Sequence, residues 1–133
     1  MKLPCPMLLV AHRGLGEGLL TAAESILGEY PPIDHLTNDG LSPDELGKRI
    51  DAWLEENPAP ALILTDLGFG SCCQTARLVT RDNGQVGILA GVNLPVVLAA
   101  ARSRDLEDLR TLMNHLAERA VGSVEQYLGG SRV

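Results

Sequence analysis

Short apolar runs of strand length alternate with segments of helical periodicity along almost the whole chain, and few folds accommodate that pattern. Met7 to Ala11, about Ile33 to Leu36, Ala61 to Thr65 and Val86 to Ala90 are the strand-like runs. The first, third and fourth are almost wholly apolar rather than alternating, as expected of strands covered on both faces. A turn from His12 to Gly16 follows the first run. Glu17 to Leu27 then carries Leu19, Leu20, Ala23, Ile26 and Leu27 at helical spacing, with Gly28 as the stop. Ser42-Pro43-Asp44-Glu45 reads as a helix start, with a Ser cap, an early Pro and acids at the positive end of the dipole. Leu46, Ile50, Trp53 and Leu54 give that helix an apolar stripe, and Asn57-Pro58 ends it.

The remaining segments repeat the pattern. The loop Leu67 to Gly70 leads into a helix from about Ser71 to Thr80, and Asp82-Asn83-Gly84 is a turn. After Gly91-Val92-Asn93, Pro95 opens a helix to about Arg102. Asp105 is expected to cap a last helix reaching about Tyr127, before Gly129-Gly130. Strands alternating with helices predict an open, mainly parallel four-stranded sheet with right-handed crossovers and helices on both faces. The expectation is a single α/β domain over residues 1–133, with no linker, internal repeat or low-complexity stretch.

Composition narrows the functions available. Aromatics make up 3% of the chain, so aliphatic side chains must fill the core. Eleven Lys and Arg are scattered among seventeen acids, for a net charge of −6, which argues against gripping a nucleic-acid backbone. Met1 to Val10 has one Lys and a short apolar run without a long h-region or small-residue cleavage site, so no export is expected, and the apolar stretch from Gln85 to Ala101 is broken by Gly and Pro. Cys5, Cys72 and Cys73 have no CxxC spacing, so free thiols in a reducing cytoplasm are expected, as bystanders to the chemistry.

In an open parallel sheet, reactive groups collect beyond the carboxyl ends of the strands. His12, Asp66 and the Asn93 region fall there. A histidine beside a carboxylate has one ring nitrogen fixed as a donor and the other left as a nucleophile. The glycines of Gly68-Phe69-Gly70-Ser71 either let backbone N–H groups approach an anion or simply make a tight strand-to-helix turn. Arg13 either meets an anion next to His12 or is solvated. His35 and His115 read as structural or solvated positions. No carboxylate cluster accompanies His12, so no metal is implied.

Leu9-Val10-Ala11-His12, the segment Gly18 to Gly28, Thr65-Asp66 with Gly70-Ser71, and Ala90-Gly91-Val92-Asn93-Leu94-Pro95 together resemble the mannose-family enzyme IIA component of the bacterial sugar phosphotransferase system. The resemblance covers nearly the whole chain, and the last segment is its most specific part. It implies a cytoplasmic phosphotransferase that needs no cofactor. His12 would accept a phosphoryl group from the carrier protein HPr and pass it to a IIB protein. Asp66 would orient His12, while Ser71 and the backbone of Gly70 would line the phosphoryl site, with Arg13, a departure from the family, adding a positive charge beside it. A homodimer is implied, with membrane contact only through a transporter complex. Ala11 stands where the family usually has Thr, Arg13 where it has Gly, and Asp66 to Cys72 departs from the family's Asp-Thr-Trp-Gly-Gly-Ser-Pro loop. A dihydroxyacetone-kinase-type phosphotransfer subunit and a regulatory phosphoprotein reporting phosphotransferase state are the competing readings. A receiver domain phosphorylated on Asp66 would need an acidic pair where His12-Arg13 stands.

Overall fold

The computed structural model describes residues 1–133. Met7–Ala11 forms β1, Leu15–Leu27 α1, Asp34–Thr37 β2, Pro43–Glu56 α2, Ala61–Thr65 β3 and Ser71–Val79 α3. Val86–Ala90 forms β4, Leu94–Arg102 α4 and Leu109–Val121 α5, followed by a short hairpin of β5 (Tyr127–Leu128) and β6 (Ser131–Arg132). The main sheet is four-stranded in the order β2-β1-β3-β4, and every pairing in it is parallel. The expected open α/β sheet is therefore the observed one.

Each residue of β1 and β3 is buried, and successive side chains point to opposite faces. Met7, Leu9, Leu62 and Leu64 face one layer, where they pack with Leu20 and Ala23 of α1, Val96, Val97 and Ala100 of α4, and Leu112 and Leu116 of α5. Leu8, Val10 and Ile63 face the other, against Leu46 and Ile50 of α2 and Cys72 and Ala76 of α3. An apolar run without alternation is thus the signature of a strand feeding two cores at once. No helix is long and apolar enough to cross a membrane.

Several expected details shift. The first helix starts at Leu15 rather than Glu17, because Leu15 N–H already bonds His12 C=O at 3.1 Å and Gly16 is accommodated inside the helix. Ile26, expected in the apolar stripe, is 52% exposed. Trp53 and Leu54 are half-buried rather than core, and the Trp53 indole N–H donates to Asp34 Oδ2 at 2.8 Å, tying α2 to the edge strand β2.

The last helix differs most. Its cap is Asp108, not Asp105: Asp108 Oδ1 accepts the Thr111 N–H at 2.7 Å. It ends at Val121 before Gly122, and Tyr127 belongs to the hairpin instead. Gly129 and Gly130 take φ of 59° and 87°, the left-handed pair that a two-residue hairpin turn needs.

α2 opens as its sequence predicts. Ser42 Oγ accepts the Glu45 N–H while Glu45 Oε1 accepts the Ser42 N–H, each at 3.1 Å, a reciprocal capping box. Ser42→Ala removes one half of it and is expected to destabilise the domain by about 1 kcal/mol. Urea unfolding should show a lowered midpoint with an unchanged slope.

Candidate functional site

β1 and β3 lie side by side with Val10 opposite Thr65, so the residues that follow them leave the sheet together. His12 and Asp66 meet there although 54 positions separate them. Asp66 Oδ2 accepts the His12 backbone N–H at 3.0 Å and lies 2.8 Å from His12 Nδ1. The imidazole is 39% exposed and the carboxylate only 6%. A buried acceptor facing Nδ1 assigns the ring proton to that atom and leaves the lone pair on Nε2.

The electrostatics of Asp66 follow from two opposed effects. Burial pushes its carboxyl up. The hydrogen bonds from the His12 backbone and ring, with the charge the ring carries when protonated, outweigh burial and hold the group below its ordinary value. Its second oxygen, Oδ1, is buried without a hydrogen-bond partner.

The loop after Asp66 closes over the ring. Gly70 is the residue before α3, and a Cβ there would come within 3.1 Å of His12 Cε1, so glycine permits this approach. No side chain caps α3, which leaves its first N–H groups available beside the imidazole. Ser71, exposed at the start of α3, accepts a hydrogen bond from Asn38 Nδ2 at 3.3 Å.

Arg13 takes φ of 47°, a left-handed conformation that costs a non-glycine residue about 1 kcal/mol. Its guanidinium stands 3.9 Å from Asp39 Oδ1 and is largely exposed. His12, Arg13, Leu15, Asn38, Asp39 and Gly40 line an open cleft of about 460 Å³ at this end of the sheet.

His12 and Asp66 are therefore in direct contact with Gly70 close against the ring, while Ser71 opens α3 and Arg13 follows His12 in the turn after β1. Asn93 is not part of the group. Its Oδ1 accepts the Val96 N–H and its Nδ2 donates to Ser123 Oγ, so it caps α4. His35 and His115 are both exposed.

Two neighbours escaped the sequence reading. Asn38 follows β2 and obeys the same strand-end rule as His12 and Asp66, which was the available signal. Cys72, expected to be a bystander thiol, is buried, yet its Sγ lies 3.9 Å from His12 Nδ1. One ligand atom each from His12, Asp66 and Cys72 lies within 4.8 Å of the others, a nitrogen, oxygen and sulfur set able to hold a metal ion.

Because the folded-state value of Asp66 is depressed, its contribution to stability is present above the ordinary carboxylate range and is lost as pH falls through the folded value. Asp66→Asn should cost about 2 kcal/mol at neutral pH, the scale of a hydrogen bond to a charged group. The gap between wild type and variant should narrow below about pH 4. Thermal unfolding of both proteins across that range measures it.

Residues 6–117 match the family described as PTS system fructose IIA component, of the EIIA-man type. The sorbose-specific EIIA component of Lacticaseibacillus casei is 29% identical over 114 residues, which span 83% of this chain and 81% of that protein. A mannose/sorbose-specific IIA subunit from Enterococcus faecalis superposes with a TM-score of 0.84 at 24% identity, over 95% of this chain and 96% of that one. The EIIA component from Streptococcus agalactiae gives a TM-score of 0.80 at 20% identity, over 90% and 94% of the two chains. With the family match running from the residue before β1 well into α5, this chain belongs to the mannose-type IIA components of the sugar phosphotransferase system, a family of phosphoryl carriers.

Proposed function

We propose that His12 accepts a phosphoryl group from phosphorylated HPr through Nε2 and passes it to a histidine or cysteine of a IIB protein. The observation that carries this reading is the 2.8 Å contact between His12 Nδ1 and the buried Asp66 Oδ2 on a ring that remains 39% exposed.

The chemistry follows from that contact. The Nε2 lone pair attacks phosphorus while the bond from phosphorus to the donor histidine breaks, and the donor ring keeps the bonding pair. Positive charge grows on the His12 ring, and Asp66, holding the Nδ1 proton, stabilises it. Transfer of this kind asks mainly for alignment and for neutralisation of the phosphoryl oxygens. Asp66 itself repels those oxygens. The N–H groups at the start of α3, Ser71 and the Arg13 guanidinium offset that repulsion, with Asn38 orienting Ser71. Ala11, fully buried, brings no hydroxyl to the site, so Arg13 is the added source of attraction on the β1 side.

In this reading the chain meets proteins rather than sugar, works in the cytoplasm and reaches the membrane only through a transporter complex. The sorbose-specific relative supports a carbohydrate system. Self-association belongs to the same reading. Light scattering should return the mass of two chains, and the mass of one at high concentration would contradict it.

Incubation with phosphorylated HPr should give an acid-labile, base-stable adduct that is absent from His12→Ala. Asp66→Asn should keep the fold and slow transfer by roughly 10²-fold or more, on the scale of general acid–base contributions. Label that persists in His12→Ala, or wild-type rates in Asp66→Asn, would overturn the assignment.

A further inference from the structure

Cys72 is the residue the phosphoryl-transfer reading leaves without a task. It stands fully buried in the first turn of α3, with its sulfur 3.9 Å from the nitrogen that Asp66 holds. Burial, and then the charge of Asp66, push its thiol up to about 11, so at neutral pH it stays protonated and resists oxidation. A redox sensor needs the reverse, an exposed thiolate. A metal ion does not, because coordination deprotonates a thiol outright.

We propose that His12 Nδ1, the Asp66 carboxylate and Cys72 Sγ form a zinc-binding site whose occupancy switches the phosphoryl acceptor off. Several independent features converge on it. The donor set is one imidazole nitrogen, one carboxylate oxygen and one sulfur, which selects zinc over the hard cations magnesium and calcium. Asp66 is nine-tenths buried, and its Oδ1 has no hydrogen-bond partner, so an acceptor stands unused in the cluster.

The spacing also fits. Tetrahedral zinc with ordinary bond lengths places sulfur and nitrogen roughly 3.5 Å apart and nitrogen and oxygen roughly 3.3 Å apart. The corresponding separations are 3.9 Å and 2.8 Å. Along those two edges shifts of roughly half an ångström convert one arrangement into the other, the sulfur–oxygen edge lies within 4.8 Å, and the fourth position is left for water.

Switching off follows from the tautomer. Zinc takes the Nδ1 lone pair, so the ring proton moves to Nε2, where it occupies the pair that would attack phosphorus. The Cys72 thiol proton is released to solvent. The bond from Nδ1 to Asp66 is replaced by a bond from each to the metal. This consequence rests on the role proposed for His12, whereas the metal site itself does not.

Cobalt(II) chloride is the probe for binding and zinc sulfate the probe for switching, both on the intact chain. Cobalt should give a thiolate charge-transfer band and tetrahedral visible bands in wild type, displaced by zinc. Cys72→Ala should lose the thiolate band and bind cobalt at least about 100-fold more weakly, a ligand being worth no less than the residues that support one. Cys72→Ser checks the same loss with the volume nearly kept, and Cys73→Ala should behave as wild type. Labelling from phosphorylated HPr should be suppressed by one equivalent of zinc in wild type, restored by chelation, and unaffected by zinc in Cys72→Ala. Absence of the thiolate band in wild type, its survival in both Cys72 variants, or full labelling with bound zinc would overturn the proposal. A cobalt-binding protein that is never labelled would sink the carrier reading and leave the metal site standing.

Discussion

Parallel pairing between β1 and β3, buried on both faces, is the constraint from which the rest of the molecule follows. The two strands exchange backbone hydrogen bonds in a register that sets Leu9 opposite Leu64 and Val10 opposite Thr65. With every side chain of both strands buried, the sheet cannot present a face to water, and a layer of helices is required on each side. Parallel strands also end at the same edge. His12 and Asp66 are adjacent for that reason alone, before any side chain expresses a preference.

Asp66 then has to serve two opposed demands. In the proposed transfer it would hold the Nδ1 proton and steady positive charge on the ring, while its own charge would lie next to the incoming phosphoryl group. The surrounding elements bear on that conflict from separate directions. Gly70 brings the uncapped start of α3 against the imidazole, and Arg13 brings a guanidinium from the β1 loop at the cost of a left-handed backbone. Cys72 contributes a neutral thiol on the buried side, which adds no charge to the balance.

Most of the scaffold was legible because its signals are local. Doubly buried strands are apolar runs, and Ser42-Pro43-Asp44-Glu45 fixes a helix start through contacts within four residues. The end of the chain was harder to read for a physical reason. Asp105 and Asp108 are both competent caps by residue type, and the second is the one used, at the start of the helix that buries Leu112 and Leu116 in the core. Tyr127 and Leu128 continue a helical pattern on paper, but Gly122 and the Gly129-Gly130 turn redirect the backbone. In the site, His12 and Asp66 are found from their positions at strand ends. The approach of Cys72 depends on how α3 is rotated about its axis, and that of Asn38 on a weak edge strand, neither of which periodicity encodes.

The placement of the dyad on the two central strands also sets its lifetime. Edge loops, helix starts and the terminal hairpin can open locally at little free-energy cost, while strands buried on both faces separate only when the whole domain unfolds. Opening of the β2–α2 loop or the first turn of α3 would free Asn38, Ser71 or Gly70 for a protein partner while the imidazole kept its orientation. In the proposed carrier, partner exchange and nucleophile alignment would thus run on separate clocks, the first as fast as a surface loop moves and the second as slow as global unfolding.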